Sequence, residues 1–249
     1  MKTNGNTILI TGGATGIGLS LAERFLAENN EVIVCGRRKE KLEEAKQKFP
    51  KLHIKVCDVS KEIERTELVE WAIKNFPSFN VLVNNAGIQQ MIVLPKENSA
   101  ENITNEVNTN LVAPIHFTEL VAEHFSKQPG AAILNITSGL GFVPIAFTPV
   151  YCATKAALHS FSMSARRQFR DTPVKIFEII PPMVDTDLDK GSREKRGMKE
   201  RGIKPEVVAE ETLKALASDQ YEFPIGEAAN LYGAANNGKA GFVFEKMNG

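Results

Sequence analysis

The chain has 249 residues, 43% hydrophobic and 24% charged, a globular composition with material for a sizeable core. Lys plus Arg equals Asp plus Glu at 30 each, so no overall field recruits nucleic acid or an anionic membrane. Three cysteines without CxxC spacing and four histidines without HxxxH or HExxH argue against a disulfide framework and a metal site. The opening MKTNGNTILITGG has no signal-peptide pattern, and together with the cysteines it makes a cytoplasmic location the expectation.

TILIT (7–11) is a continuous apolar run, as expected of a strand covered on both faces. TGGATGIG (11–18) follows it and opens a helix with the stripe Leu21, Ala22, Phe25 and Leu26. Glycines at such a turn let backbone approach a pyrophosphate, whose charge the free N–H groups and helix dipole favour. Gly12, Gly16 and Gly18 are spaced G-x-x-x-G-x-G rather than G-x-G-x-x-G, and Leu19 stands where a P-loop has lysine. A dinucleotide is therefore favoured over nucleoside-triphosphate hydrolysis.

EVIVC (31–35) reads as the second strand, and its end reports on the ribose. An acid there would suit NAD, but the chain has Gly36, Arg37 and Arg38, and guanidinium groups suit a 2′-phosphate. NADP is the expected cofactor, with NAD the lesser alternative; the competing reading is that the arginines merely start the polar helix RRKEKLEEAKQKF. LHIKVC (52–57) is the third strand, after which Asp58 and Val59 are placed to bracket an adenine ring. Leu68, Val69, Ala72, Ile73 and Phe76 form the next helical stripe, and VLVNN (81–85) the fourth strand. Residues 101–126 read as one long helix.

AAILNIT (131–137) is the fifth strand. Residues 128–154 carry no charge, yet three prolines and three glycines rule out one membrane-spanning helix, so a buried strand and an apolar loop are expected. The helix 151–170 begins YCATK, which sets Tyr151 and Lys155 on one face. Alone, the pair reads first as an aromatic anchor beside a solvated lysine. VKIFEII (174–180) and YEFPIG (221–226) complete seven strands, with a helix at 205–218 between them. From 190 to 204 there are seven Lys/Arg against two Glu, a local net of +5, so 185–204 is either a substrate lid or a solvated loop. The β–α alternation predicts one domain over 1–249: an α/β Rossmann fold with a doubly wound, seven-stranded parallel sheet and helices on both faces.

The glycine pattern, NNAG (84–87), Ser138, Tyr151/Lys155 and PPMVDT (181–186) resemble, in order and spacing, the short-chain dehydrogenase/reductase family over residues 3–226. SGLGFVP and PPMVDTDL also resemble its DltE-like subgroup. The resemblance implies an NADP(H)-dependent oxidoreductase interconverting a carbonyl and an alcohol. Tyr151 would be the general acid/base, and Lys155 would favour phenolate and hold the nicotinamide ribose. Ser138, 13 residues before Tyr151, would bond the substrate oxygen, with Thr137 as competitor. Asn110 would hold a relay water, with Asn108 the rival.

The implied cofactor residues are Gly12, Thr15, Gly16, Ile17, Gly18, Arg37, Arg38, Asp58, Val59, Asn85, Ala86, Gly87, Tyr151, Lys155, Pro181, Val184 and Thr186. Asn84 would join strands, and Pro182 departs from the usual Pro-Gly. Gln89, Met91, Leu140, Phe142, Met183 and Leu188 are the expected substrate contacts, with Gln90, Val143 and Phe147 beside them; their character suits a hydrophobic or mixed small-molecule carbonyl. The family also implies a homodimer or homotetramer through the 101–126 and 151–170 helices. A catalytically silent dinucleotide-binding regulator is the alternative, and the filled catalytic positions count against it.

Overall fold

The computed structural model describes residues 1–94, 100–188 and 202–249. Its strands are β1 (Thr7–Thr11), β2 (Glu31–Gly36), β3 (His53–Val56), β4 (Phe79–Asn84), β5 (Ala132–Ile136), β6 (Lys175–Ile180) and β7 (Glu222–Pro224). They form one parallel sheet in the order β3-β2-β1-β4-β5-β6-β7. The order reverses between β1 and β4, which leaves a crevice beyond their carboxyl ends for a ligand. The expected doubly wound α/β class is what the chain adopts.

Side chains of β1 alternate, and both faces are covered. Ile8 and Ile10 join a core with Leu21 and Phe25 of α1 (Gly16–Ala27) and Val208 and Leu216 of α7 (Pro205–Ala217). Leu9 joins the opposite core, with Leu68 and Ala72 of α3 (Glu62–Asn75) and Phe117 and Val121 of α5 (Ala113–Phe125). This two-sided burial explains why the strands read as apolar runs rather than alternations. The polar helix after β2 is α2 (Lys39–Lys48).

The long helix expected over 101–126 is interrupted. It runs as α4 (Ala100–Val107), a π turn (Asn108–Val112) and then α5, with Pro114 at the start of the last. Proline lacks an N–H and clashes with the carbonyl four residues back, so a widened turn before it relieves the ladder. The next helix, α6, spans Pro149–Gln168. After β7 come two helices that the sequence reading did not anticipate, α8 (Ala228–Asn236) and α9 (Ala240–Asn248). Most of the expected 185–204 lid lies outside the described residues. Its two ends are tied together: Val184 bridges Ile203, whose carbonyl accepts from Asp185 N at 2.8 Å. Among the described residues no helix is long and apolar enough to cross a membrane.

Candidate active site

A cavity of about 1230 Å³ opens at the carboxyl ends of the strands. At one end lies the turn from β1 to α1. Gly16 is left-handed, at φ 54°, and a Cβ there would lie 3.0 Å from Thr186 Cγ2. Gly18 faces inward, where a Cβ would lie 2.5 Å from Gly12 O and 2.6 Å from Asn85 Nδ2. Glycine is thus needed at 16 for the turn and at 18 for close packing. The first turn of α1 has no acid, so its amides and dipole are open to an anion.

The NNAG segment is sewn to this turn by Thr11, a residue the sequence reading did not single out. Thr11 Oγ1 accepts from Asn85 N and Ala86 N at 3.0 Å each, and Asn85 Nδ2 donates to Thr11 O at 2.9 Å. Asn84 turns the other way, giving its amide to Asn135 Oδ1 at 2.9 Å and so joining β4 to β5. Gly87 forms bare floor: a Cβ there would lie 3.6 Å from Asn110 Oδ1 and 3.9 Å from Lys155 Nζ.

Beyond β2, the exposed Arg37 and Arg38 line the cavity with Lys41. Across from them, Asp58 Oδ1 accepts from Ser60 N and Oγ, at 3.0 and 2.8 Å, and its own N–H donates to Glu64 at 2.6 Å. That turn holds Asp58 and Val59 against the cavity.

Tyr151, Lys155 and Ser138 meet at the centre. Lys155 Nζ donates to Ile136 O at 2.8 Å and lies 5.6 Å from the centre of the Tyr151 ring. Burial pulls the Lys155 ammonium down to about 8, while the charge of Glu178 acts to raise it. Ser138 Oγ accepts from Leu140 N at 3.2 Å, which leaves its O–H to donate outward. Thr137, the competing hydroxyl, points into the protein and donates to Glu178 at 2.7 Å.

Asn110 sits within the π turn, fully buried, whereas Asn108 is half-buried. Its Oδ1 accepts from Ile88 N at 2.9 Å and its Nδ2 donates to Ile88 O at 2.8 Å, clamping the loop after β4. One turn earlier, the fully buried Glu106 accepts from Gln90 N at 3.2 Å. Its other oxygen has no hydrogen-bond partner among the described residues, and burial pushes the carboxyl up to about 7.

Most residues expected at the site from sequence line this cavity: Gly12, Thr15, Gly16, Ile17, Ala86, Gln89, Leu140, Pro181, Met183, Val184, Thr186 and Leu188 among them. Gly18 and Asn110 stand just behind its wall. Met91 is not on the lining, and Phe142 turns away from it. The Phe142 ring packs edge-on against His159 at 4.7 Å and Tyr232 at 5.0 Å, because the short 3-10 turn Gly139–Gly141 aims it at α6 and α8. Val143 is fully buried. Phe147 does line the cavity as expected, and the rest of the far wall comes from Ile145 and from Leu231, Val243, Lys246 and Met247 of α8 and α9. The spacing of Val243, Phe244 and Met247 was the local signal for that last helix.

A seven-stranded parallel sheet with a glycine turn at its switch point and a Tyr–Lys pair beside it defines a dinucleotide-binding α/β oxidoreductase frame. The sequence profile described as short chain dehydrogenase matches residues 6–197, and the chain belongs to that family. It is 48% identical over 251 residues to the oxidoreductase DltE of Bacillus subtilis (strain 168), covering 100% of this chain and 98% of that one, which puts it in the DltE-like subgroup. Among solved structures it resembles a serine dehydrogenase complexed with NADP+, at 29% identity and TM-score 0.77 over 84% of this chain and 88% of that one. A short-chain dehydrogenase/reductase from Burkholderia phymatum in complex with NAD shares the fold, with TM-score 0.86 at 20% identity over 93% of each chain.

Proposed function

We propose that this oxidoreductase is NADP(H)-dependent and interconverts a carbonyl and an alcohol, with Tyr151 as general acid and base. The observation that carries the reading is the buried Lys155 ammonium 5.6 Å from the Tyr151 ring, on the same cavity as Ser138 and the glycine turn. The residues present suit a dinucleotide: a side-chain-free cradle at Gly12, Gly16 and Gly87, an acid-free helix start, and two arginines where a ribose phosphate would lie. When bound, the nicotinamide supplies or takes up the hydride.

The chain's own groups handle the proton and the fit. Arg37 and Arg38 hold the 2′-phosphate, Asp58 and Val59 flank the adenine, and Thr15 to Gly18 offer backbone N–H groups to the pyrophosphate. Asn85 to Gly87, Pro181, Val184 and Thr186 border the nicotinamide end. Ser138 donates to the substrate oxygen and stabilises charge there. Tyr151 gives its proton to that oxygen in reduction and takes it back in oxidation. Lys155 favours the phenolate by its charge and holds the ribose. Asn110 fixes the Ile88 loop that borders the substrate.

The relatives' cofactors include both NAD and NADP+, so the preference rests on the arginines. Leu140, Met183 and Leu188 with Gln89 suit a hydrophobic or mixed carbonyl. The reading includes a cytoplasmic homodimer or homotetramer paired through α4–α5 and α6, where Val112 and Met163 are exposed apolar side chains.

Turnover of an aldehyde and ketone panel, followed by the absorbance of NADPH, tests the mechanism. Tyr151→Phe is expected to lower it by about 10²- to 10⁴-fold; near wild-type turnover in that variant overturns the assignment. NADPH binding with no turnover across the panel would favour the silent regulator. Replacing Arg37 and Arg38 by Ala is expected to weaken NADPH binding by about tenfold or more and leave NADH unchanged. Tighter binding of NADH than NADPH by the intact chain would contradict the phosphate role.

A further inference from the structure

Behind the catalytic face a carboxyl group sits inside the sheet. Glu178 of β6 is fully buried, between Phe177 and Ile179 in sequence, where an acid is costly unless it is bonded and its charge compensated. It accepts from Thr137 Oγ1 at 2.7 Å and is bonded to His159 Nδ1 at 2.8 Å. Both partners lead to the catalytic groups. Thr137 directly precedes Ser138, and His159 lies one helical turn beyond Lys155 on the same face of α6. Lys155 in turn bonds the carbonyl of Ile136, the residue before Thr137. Ile136 at the end of β5 thus bonds the lysine, Thr137 bonds the carboxyl group, and Ser138 carries the substrate-facing hydroxyl.

We propose that Glu178 is a positioning residue for proton transfer: bonded to His159, one turn along α6 from Lys155, and to Thr137, next to the Ile136 carbonyl that Lys155 bonds, it is the counter-charge behind Lys155, and its bond to Thr137 sets the strand end from which Ser138 projects. The proposal rests on the reading of Tyr151 and Lys155 given above. The electrostatics agree with the geometry, since Glu178 opposes the burial that lowers Lys155, and its hydrogen bond raises His159. The charged and titratable groups around this centre are few among the described residues. Tyr151, His159 and Arg166 come from α6, Glu222 from β7 and Tyr232 from α8. Arg166 and Tyr232 both bond Glu222, at 2.7 and 2.8 Å, so Glu222 is occupied on its own side of the cluster. Phe142 packs edge-on against His159. A Glu178 that merely filled space would affect stability and leave the titration of Lys155 alone.

Glu178→Gln separates charge from shape. Its amide oxygen still accepts from Thr137 and its NH₂ can donate to a neutral His159 Nδ1, so the chain is expected to fold. NMR titration of the Lys155 Cε resonance in lysine-labelled protein, assigned by its loss in Lys155→Met, reads the ammonium without any substrate. The midpoint is expected to fall by about one pH unit in Glu178→Gln; an unmoved midpoint overturns the proposal. Should that variant not fold, the wild-type resonance is read instead. A second inflection at the His159 titration that His159→Gln removes supports the coupling, and its absence overturns it. Tyr151→Phe turnover, measured apart, reports on the underlying mechanism, so failure of one reading is distinguishable from failure of the other.

Discussion

The two ends of the cavity are built to different standards. At the proposed dinucleotide end, Thr11, Asn85 and Gly18 lock the β1 turn to the segment after β4 through side-chain-to-backbone hydrogen bonds and close packing. At the substrate end, the 143–148 loop and α9 are joined at the surface: Asn248 accepts from Ala146 N at 2.6 Å and donates to Pro144 O at 3.3 Å. Phe242 on α9 remains 76% exposed. Sheet-anchored backbone has no room to adjust, whereas a surface helix held by a few side-chain bonds can shift at low cost. The cofactor end is accordingly the rigid half, and the substrate end is where specificity can change without loss of the fold.

The sharpest way to break that contrast is at Gly18. Gly18→Val places a branched side chain where a Cβ already meets backbone at 2.5 Å. It is expected to cost about 1–3 kcal/mol by thermal unfolding and to reduce NADPH affinity by at least about tenfold. Wild-type affinity in that variant would show the turn to be pliable.

A smaller effect is expected at Glu106, beneath the substrate loop. Its native carboxyl, at about 7, lies above the unfolded value of about 4.3, so the native state holds a proton the unfolded chain has lost. Stability from this group is therefore full below the unfolded value and declines as pH rises from there towards 7. Glu106→Gln stays neutral throughout, so its Tm relative to wild type should rise between pH 5 and pH 8. A difference that does not change with pH would mean the carboxyl titrates normally. The smallest effect belongs to Asn248→Ala, which removes one edge of the α9 attachment. It should raise KM for the carbonyl a few-fold, with cofactor affinity unchanged and a stability cost of about 1 kcal/mol.

Much of the glycine-turn end was legible in the sequence because its residues are neighbours in the chain: TGGATGIG is turn, proposed phosphate cradle and helix start at once. The Tyr151–Lys155 pair, one turn apart on one helix, stood out only through its register to Ser138 and the glycine turn. Phe142 was misplaced because a 3-10 turn of three residues decides where it points, and no periodicity reports that. Glu178 did leave a trace, a charge in the middle of the apolar run KIFEII, but its partners lie 19 and 41 residues away. Glu106 left none, since an acid on a polar helix looks exposed until the Gln90 loop covers it.

By itself the sequence determined the β–α alternation, the glycine turn and the family's catalytic spacing, because those depend on side-chain periodicity and on backbone freedom at adjacent residues. The tertiary structure alone decided which side chains converge: Glu178 with His159 and Thr137 beneath Lys155, and α9 rather than Phe142 as the far wall. Convergence depends on strand order and on how loops close over the sheet edge. Those outcomes arise from packing the whole chain and are not written in any one segment of it.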